Sequence, residues 1–376
     1  MRNGLVRLFL FALMSYLVLA GEIQAQVAPP DLLVAVQRTA QDDQGLFIPD
    51  DAVLRYDGLT GSYVRAMTAC DDMNLSIAAT NPAIGPDGNL YVFDAVSRQL
   101  LRYDIFNGCL IDEFVPADTG GLYAAGVVLF GPDQNLYMIG SQLDGNQLAP
   151  AAILRYDGHT GAFLDVFGSA CPVGVRCDIY AAAFGPDGNI YLAEGEAGSY
   201  SVRRINGTTG AFMGSFPLAD VVVPIDLDFG PDGNIYVVSQ LTNTVVRYTP
   251  GGAPLGVFAR TSPSPVNLAF GPVDGNLYVI DRGGVSRYSG STGEFVTVFA
   301  QLSESARHPV FMKPGVFGCV LWGGTSSGGL LVKLKVPGGK AITTTTSLSG
   351  CFSFPGATAS RKSSVTIELP GNLPGK

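Results

Sequence analysis

Short apolar runs, each of strand length, recur along the chain and are separated by Gly, Pro, Asn and Asp turns. Pro224-Ile225-Asp226-Leu227-Asp228-Phe229 alternates apolar and polar side chains, as a half-buried strand does. Asn234-Ile235-Tyr236-Val237-Val238 is a near-continuous apolar run. Val245-Val246-Arg247-Tyr248 and Ala162-Phe163-Leu164-Asp165-Val166-Phe167 read as a third and a fourth strand. This order of four short strands, joined by tight turns, predicts an antiparallel sheet that is repeated down the chain.

The turns carry the repeat. GPDGNLY stands at Gly85, GPDQNLY at Gly131, GPDGNIY at Gly185 and Gly230, and GPVDGNLY at Gly271. A second phrase, typified by LRYDGLTG at Leu54 and LRYDGHTG at Leu154, brings an arginine at positions 55, 102, 155, 204, 247 and 287, spaced 40 to 53 residues apart. That period, with four strands per unit, predicts the blades of a propeller. Gly-Pro-Asp-Gly suits a type I turn, because proline presets φ at its second position. The strand before each GPDGN lies innermost, beside the channel. The first unit lacks that strand, and Pro309 to Gly315, after the last repeat, has the shape to supply it. The ring then closes by strand sharing between the two ends, giving six blades over residues 30–314 and protecting the sheet edges.

At its fullest the pattern is P-x-x-x-x-FGPDGNIYV followed by LRYDG-x-TG-x-F. It resembles NHL-type repeats of secreted bacterial β-propellers. Six-bladed lactonases of similar architecture hold a metal on channel carboxylates, and similar lyases rely on histidines. This chain has two histidines, His159 in a DGHTG turn and His308 before the closing strand.

Composition changes after residue 300. Residues 1–300 carry 15 Lys and Arg against 30 Asp and Glu; residues 301–376 carry 8 against 2, so a net charge of −9 hides an acidic propeller and a basic tail. The acidic part excludes nucleic acid and anionic membrane as partners. The tail (315–376) reads as short runs separated by Gly, Ser and Pro, a small β-sandwich or a partly disordered segment. TTTTSLSGCFSFPG (343–356) with SVTIELP (364–370) resembles carboxypeptidase-regulatory-like sandwich modules, with Ser347 where those carry an acid and Phe352 where they carry tyrosine.

Arg2 and Arg7 before the apolar run Leu8 to Ala20, with Ala25 at the cleavage point, predict a signal peptide over residues 1–25 and a secreted, periplasmic or cell-surface protein with no membrane span after cleavage. Six cysteines in an exported chain favour disulfides. Cys171 and Cys177 bracket a short loop, and Cys319 with Cys351 would staple the sandwich.

Chemistry is harder to find. The repeated arginines read as blade-packing and ion-pair residues, and the repeated turn aspartates as turn formers rather than calcium ligands. Residues that break the repeat are better candidates. Asp94, Glu194 and Asp281 end the second strands of their units, and Asp226 and Asp228 are acids within an innermost strand. Together they form a candidate site for a cationic ligand or a divalent metal such as calcium; Asp94 and Asp281 paired with neighbouring arginines is the structural alternative. Gly324 to Gly328 matches GxSxG without the strand–turn–helix context, and no phosphate loop is present. No catalytic residue is assigned and no cofactor is expected. The sequence points to a monomeric, non-enzymatic binding or scaffold propeller for a protein or carbohydrate partner. Its contact surface is expected over residues 116–124, 140–152, 168–180 and 194–201. A metal-dependent lactonase-like hydrolase or lyase is the competing class.

Overall fold

In the computed structural model the described residues are 31–311, except 38, 42–46, 50–51, 59, 67–81, 106–107, 145–146, 149–150, 172–176, 197, 282–283 and 303–304, together with the strands at 7–9, 315–322, 325–326, 331–335, 342–345, 351–355 and 364–368. The chain separates into two compact units, Asp31–Phe311 and a second one made of Met1–Pro30 with Met312–Lys376.

The first unit is a six-bladed β-propeller, each blade a four-stranded antiparallel meander numbered here in chain order. Blade 2 runs Ala83–Ile84, Leu90–Asp94, Gln99–Tyr103 and Leu110–Val115 from the axis outward. Blade 3 runs Leu122–Phe130, Leu136–Asp144, Ala152–Tyr156 and Phe163–Ser169. Blade 4 runs Asp178–Phe184, Ile190–Glu196, Ser199–Ile205 and Phe212–Pro217. Blade 5 runs Pro224–Phe229, Ile235–Ser239, Thr244–Tyr248 and Pro254–Arg260. Blade 6 runs Asn267–Phe270, Leu277–Asp281, Gly284–Tyr288 and Phe295–Ala300.

Blade 1 joins the two ends. Leu32–Gln37, Ala52–Tyr56 and Tyr63–Ala66 are completed by Ser305–Phe311, which pairs antiparallel with the first of them from Leu32↔Phe311 to Gln37↔Ser305. The shared strand therefore starts four residues earlier than the segment 309–315 read from the sequence. No GPDGN turn follows it to fix its end, and Gly315 begins a strand of the other unit.

The repeat residues hold the ring together. In blades 2 to 6 one oxygen of the turn aspartate accepts the backbone N–H two residues on, and the other accepts from the asparagine side chain there and, at 2.8–3.1 Å, from the tyrosine hydroxyl four residues on. That tyrosine ring stands edge-on to a phenylalanine of the next blade's innermost strand. Tyr91–Phe130, Tyr137–Phe184, Tyr191–Phe229 and Tyr236–Phe270 have centroids 4.8–5.1 Å apart. The repeat arginine lies over the outer-strand phenylalanine in blades 2, 3, 5 and 6. A turn glycine lets blades touch at the seams 2/3, 3/4, 4/5, 5/6 and 6/1. A Cβ on Gly210 would sit 1.7 Å from the Phe167 carbonyl oxygen, and one on Gly61 would sit 1.8 Å from that of Phe299, across the closing seam between blades 6 and 1.

In the second unit, Gly315–Trp322 pairs with Arg7–Phe9, Thr325–Ser326 and Cys351–Pro355, and Leu331–Lys335 pairs with Ile342–Thr345 and Ser364–Glu368. Cys319 stands opposite Cys351 in this register. Among the described residues no helix is long and apolar enough to cross a membrane.

Candidate functional site

Alternating strand direction puts the first-to-second and third-to-fourth turns of blades 2 to 6 on one face. The second-to-third loops and the blade-to-blade connections fall on the other. The described residues of all four segments singled out as a contact surface belong to this loop face; 145–146, 149–150, 172–176 and 197 lie outside the described residues. Blades 3 and 4 rise highest there, since their first and second strands extend for seven to nine residues. Arg98 pairs with Asp118 at 2.9 Å and covers the ring of Tyr123 on the same face.

The five candidate carboxylates do not converge. Asp94 and Asp281 end the second strands of blades 2 and 6, whereas the second strand of blade 4 runs two residues past Glu194 to Glu196, against the sequence expectation; no two of the three occupy neighbouring blades. Asp94 is committed to its own turn. It accepts from the Val96 and Ser97 N–H groups and, at 2.6 Å, from the Ser97 hydroxyl. Ser239 takes this position in blade 5 and likewise binds its connection, accepting the Val222 N–H at 2.8 Å. Glu194 accepts the Ser201 hydroxyl at 3.3 Å and lies 3.5 Å from Cys177 Sγ. Cys177 is bonded to Cys171, as read from the sequence, so its sulfur has no hydrogen to donate. Burial raises the Glu194 carboxyl above its ordinary value, against the opposing charge of Arg203 and the Ser201 bond. Asp281 is buried at the edge of blade 6. It adds to the burial that pushes the Tyr288 phenol up.

Asp226 and Asp228 lie deeper, on the innermost strand of blade 5. Asp226 Oδ2 accepts the Leu268 N–H of blade 6 at 2.9 Å, a bond across a seam that has no sheet ladder. Burial pushes its carboxyl up to about 8, the Leu268 bond opposing and Asp228 adding to the rise. Asp228 keeps some open surface and rises less, to about 6, again through burial, opposed by the Phe229 N–H. Asn267 fills the Asp226 position in blade 6, so this site is a polar seam position as well as a pair of acids. Among the described residues no group of three or more His, Cys, Asp or Glu is placed to hold a metal ion. Cys109 is also disulfide-bonded, and no described cysteine is free. The Cys319–Cys351 side chains and the tail's GxSxG glycines lie outside the described residues.

Sequence reasoning treated the repeat arginines as one class and missed a division among them. Asp112 and Asp165 face Arg102 and Arg155 on the outer strands of blades 2 and 3, and glycine stands there in blades 4 and 5. The signal was available in the fourth strands, where FLDVF becomes FMGSF and PLGVF.

No protein-family model matches the chain, and no curated protein matches it. Solved structures do. A nidogen/laminin complex component is 15% identical at a TM-score of 0.51, with 75% of this chain and 98% of that one covered. A virginiamycin B lyase from Staphylococcus aureus is 14% identical at a TM-score of 0.47, with 76% and 92% covered. A gluconolactonase from Xanthomonas campestris is 15% identical at a TM-score of 0.45, with 67% and 83% covered. At these identities the likeness is one of architecture alone: the chain is a six-bladed β-propeller.

Proposed function

We propose that this chain is an exported, non-enzymatic binding propeller that takes a protein or glycan partner on its loop face. The observation that carries the reading is the apolar exposure of short connections there, which adds to the exposed apolar side chains of the outer strands. Val96 and Leu241 are 69% and 66% exposed at the tips of the second-to-third loops of blades 2 and 5, and Tyr123 and Val222 are exposed beside them. Large exposed apolar side chains on a folded rim are what a partner covers. Asp94, beneath the blade 2 loop, is occupied in supporting it. The disulfide at Cys171–Cys177 suits an oxidising compartment. A hydrolase or lyase is favoured by one observation only, the raised carboxyls of Asp226 and Asp228.

Metal analysis and a glycan array on the purified chain separate these. The binding reading predicts no stoichiometric divalent ion, and saturable binding of a defined glycan or protein that Val96→Ser with Leu241→Ser weakens. A stoichiometric ion that Asp226→Asn removes would instead favour the enzymatic reading.

A further inference from the structure

The six guanidiniums of the repeat are not in equivalent states. In blade 2, Arg102 donates from Nε to Asp112 Oδ1 at 3.0 Å and from Nη2 to Asp112 Oδ2 at 2.5 Å. In blade 3, Arg155 makes the same two bonds to Asp165, at 3.1 and 2.6 Å. In blade 1, Arg55 Nε donates to Asp31 at 2.5 Å. The first two are side-on forks, the geometry in which one guanidinium holds one carboxylate by parallel bonds.

Blades 4, 5 and 6 keep the arginine and lack the acid. The register partners of Arg204, Arg247 and Arg287 are Gly214, Gly256 and Thr297. The Nε of each of these arginines is buried and has no hydrogen-bond partner among the described residues. In blades 4 and 5 the position of the missing side chain's Cβ is clear. A Cβ on Gly256 would find no heavy atom within 4 Å, and one on Gly214 would meet only Arg204 Nη2, at 3.5 Å. Both glycines have left-handed φ, +88° and +127°, which disfavours any side chain there and keeps each notch open. Arg247 is held in place from its other sides. Its guanidinium lies 5.3 Å from the Phe258 ring centroid and its Nη1 is 3.6 Å from Asp232, yet its side chain stays 31% exposed.

We propose that the notch beside Arg247, with its counterpart beside Arg204, binds a carboxylate supplied from outside the chain. The ligand group would complete the side-on fork that Asp112 and Asp165 complete within the molecule. A single negative charge of carboxylate size fits better than a phosphate dianion, because the internal occupants are carboxylates and Asp232 stands beside the Arg247 site. The group can belong to a free small acid or to an acidic side chain of a protein partner. Both notches lie at the turn-bearing end of the blades, away from the loop face, so this site does not depend on the reading above.

The filled forks are built-in controls. The Nε–Hε signals of the labelled full chain, assigned through Arg204→Lys and Arg247→Lys or by through-bond experiments on the unaltered chain, are followed while sodium acetate is added against sodium chloride at equal ionic strength. The Arg204 and Arg247 signals are expected to move saturably with acetate, while those of Arg102 and Arg155 stay fixed. A peptide of glutamates with amidated C-terminus then distinguishes the source. Saturation at about tenfold lower concentration than acetate assigns the site to a protein partner, and saturation no tighter than acetate assigns it to a free acid. If Arg204 and Arg247 move no more than in chloride, or if all the arginines move together, the proposal fails.

Discussion

The Tyr236 hydroxyl donates to Asp232 Oδ2 at 3.0 Å, tying the ring that bridges blades 5 and 6 to the turn four residues before it. Asp232 also accepts from the Asn234 backbone and side chain. Burial opposes ionisation of this carboxyl, but these bonds, with Arg247 nearby, hold it below the ordinary value. Asp232→Ala removes three acceptor bonds at once. It should cost about 2–3 kcal/mol in urea unfolding and leave calcium affinity unchanged. A loss of calcium binding without a loss of stability would show the turn to be a ligand site instead.

Blade 3 departs from the repeat at one turn residue. Gln134 stands where other blades have glycine and adopts φ +67°, close to the +76° of Gly188 and Gly233. A side chain there costs energy that glycine avoids. Gln134→Gly should raise stability by about 1 kcal/mol, seen as a higher Tm with an unchanged urea slope.

The seam glycines predict the opposite sign. Gly210 packs so closely on the Phe167 carbonyl that an added methyl must part blades 3 and 4. Gly210→Ala should cost about 3 kcal/mol or more, whereas alanine at Gly198, where a Cβ meets nothing within 4 Å, should cost only the left-handed backbone penalty of about 1 kcal/mol. Equal losses at the two positions would argue against blade contact as the cause.

Asp226 gives a pH dependence with a definite sign. Its folded carboxyl titrates at about 8, above the ordinary 3.8, so folding favours the protonated form. The associated stability is fully present below about pH 4 and is lost as pH rises through about 8. Asp226→Asn keeps an acceptor for the Leu268 N–H and copies the Asn267 of blade 6. It should stabilise the protein above pH 8 by about 1–3 kcal/mol and flatten the rise and fall of Tm over this window. An Asn variant whose Tm difference from the parent is the same at pH 4 and pH 9 would contradict the assignment.

The blades were legible in the sequence because their turns are chemically narrow. Asp232, Asn234 and Tyr236 recur together since one hydrogen-bonded cluster needs all three. The role of Asp94 was not legible, because nothing in LYVFD shows that Ser97 will fold back onto it. Asp226 is similar, its partner being a backbone N–H 42 residues away in the next blade. The closing strand was found but misplaced, since its register is set by Leu32 and Gln37 rather than by any turn of its own. The empty forks were readable, but only by aligning the outer strands, which carry the least regular part of the repeat.

Strand sharing in blade 1 also orders events in time. Blades 2 to 6 each form from neighbouring segments of chain, so their sheets can appear as soon as their residues are available. Leu32–Gln37 can pair at once with Ala52–Tyr56, but its inner edge must wait for Ser305–Phe311, and the loop that this pairing closes is the whole ring. Its entropic cost grows only as the logarithm of loop length, about 0.6 kcal/mol per doubling, and is smaller still once the intervening blades have stacked into an arc. The last step of folding is therefore a docking of two ends already held near each other. A chain cut within residues 301–304 would keep five blades and an unlatched arc, open to capture by the free end of another molecule.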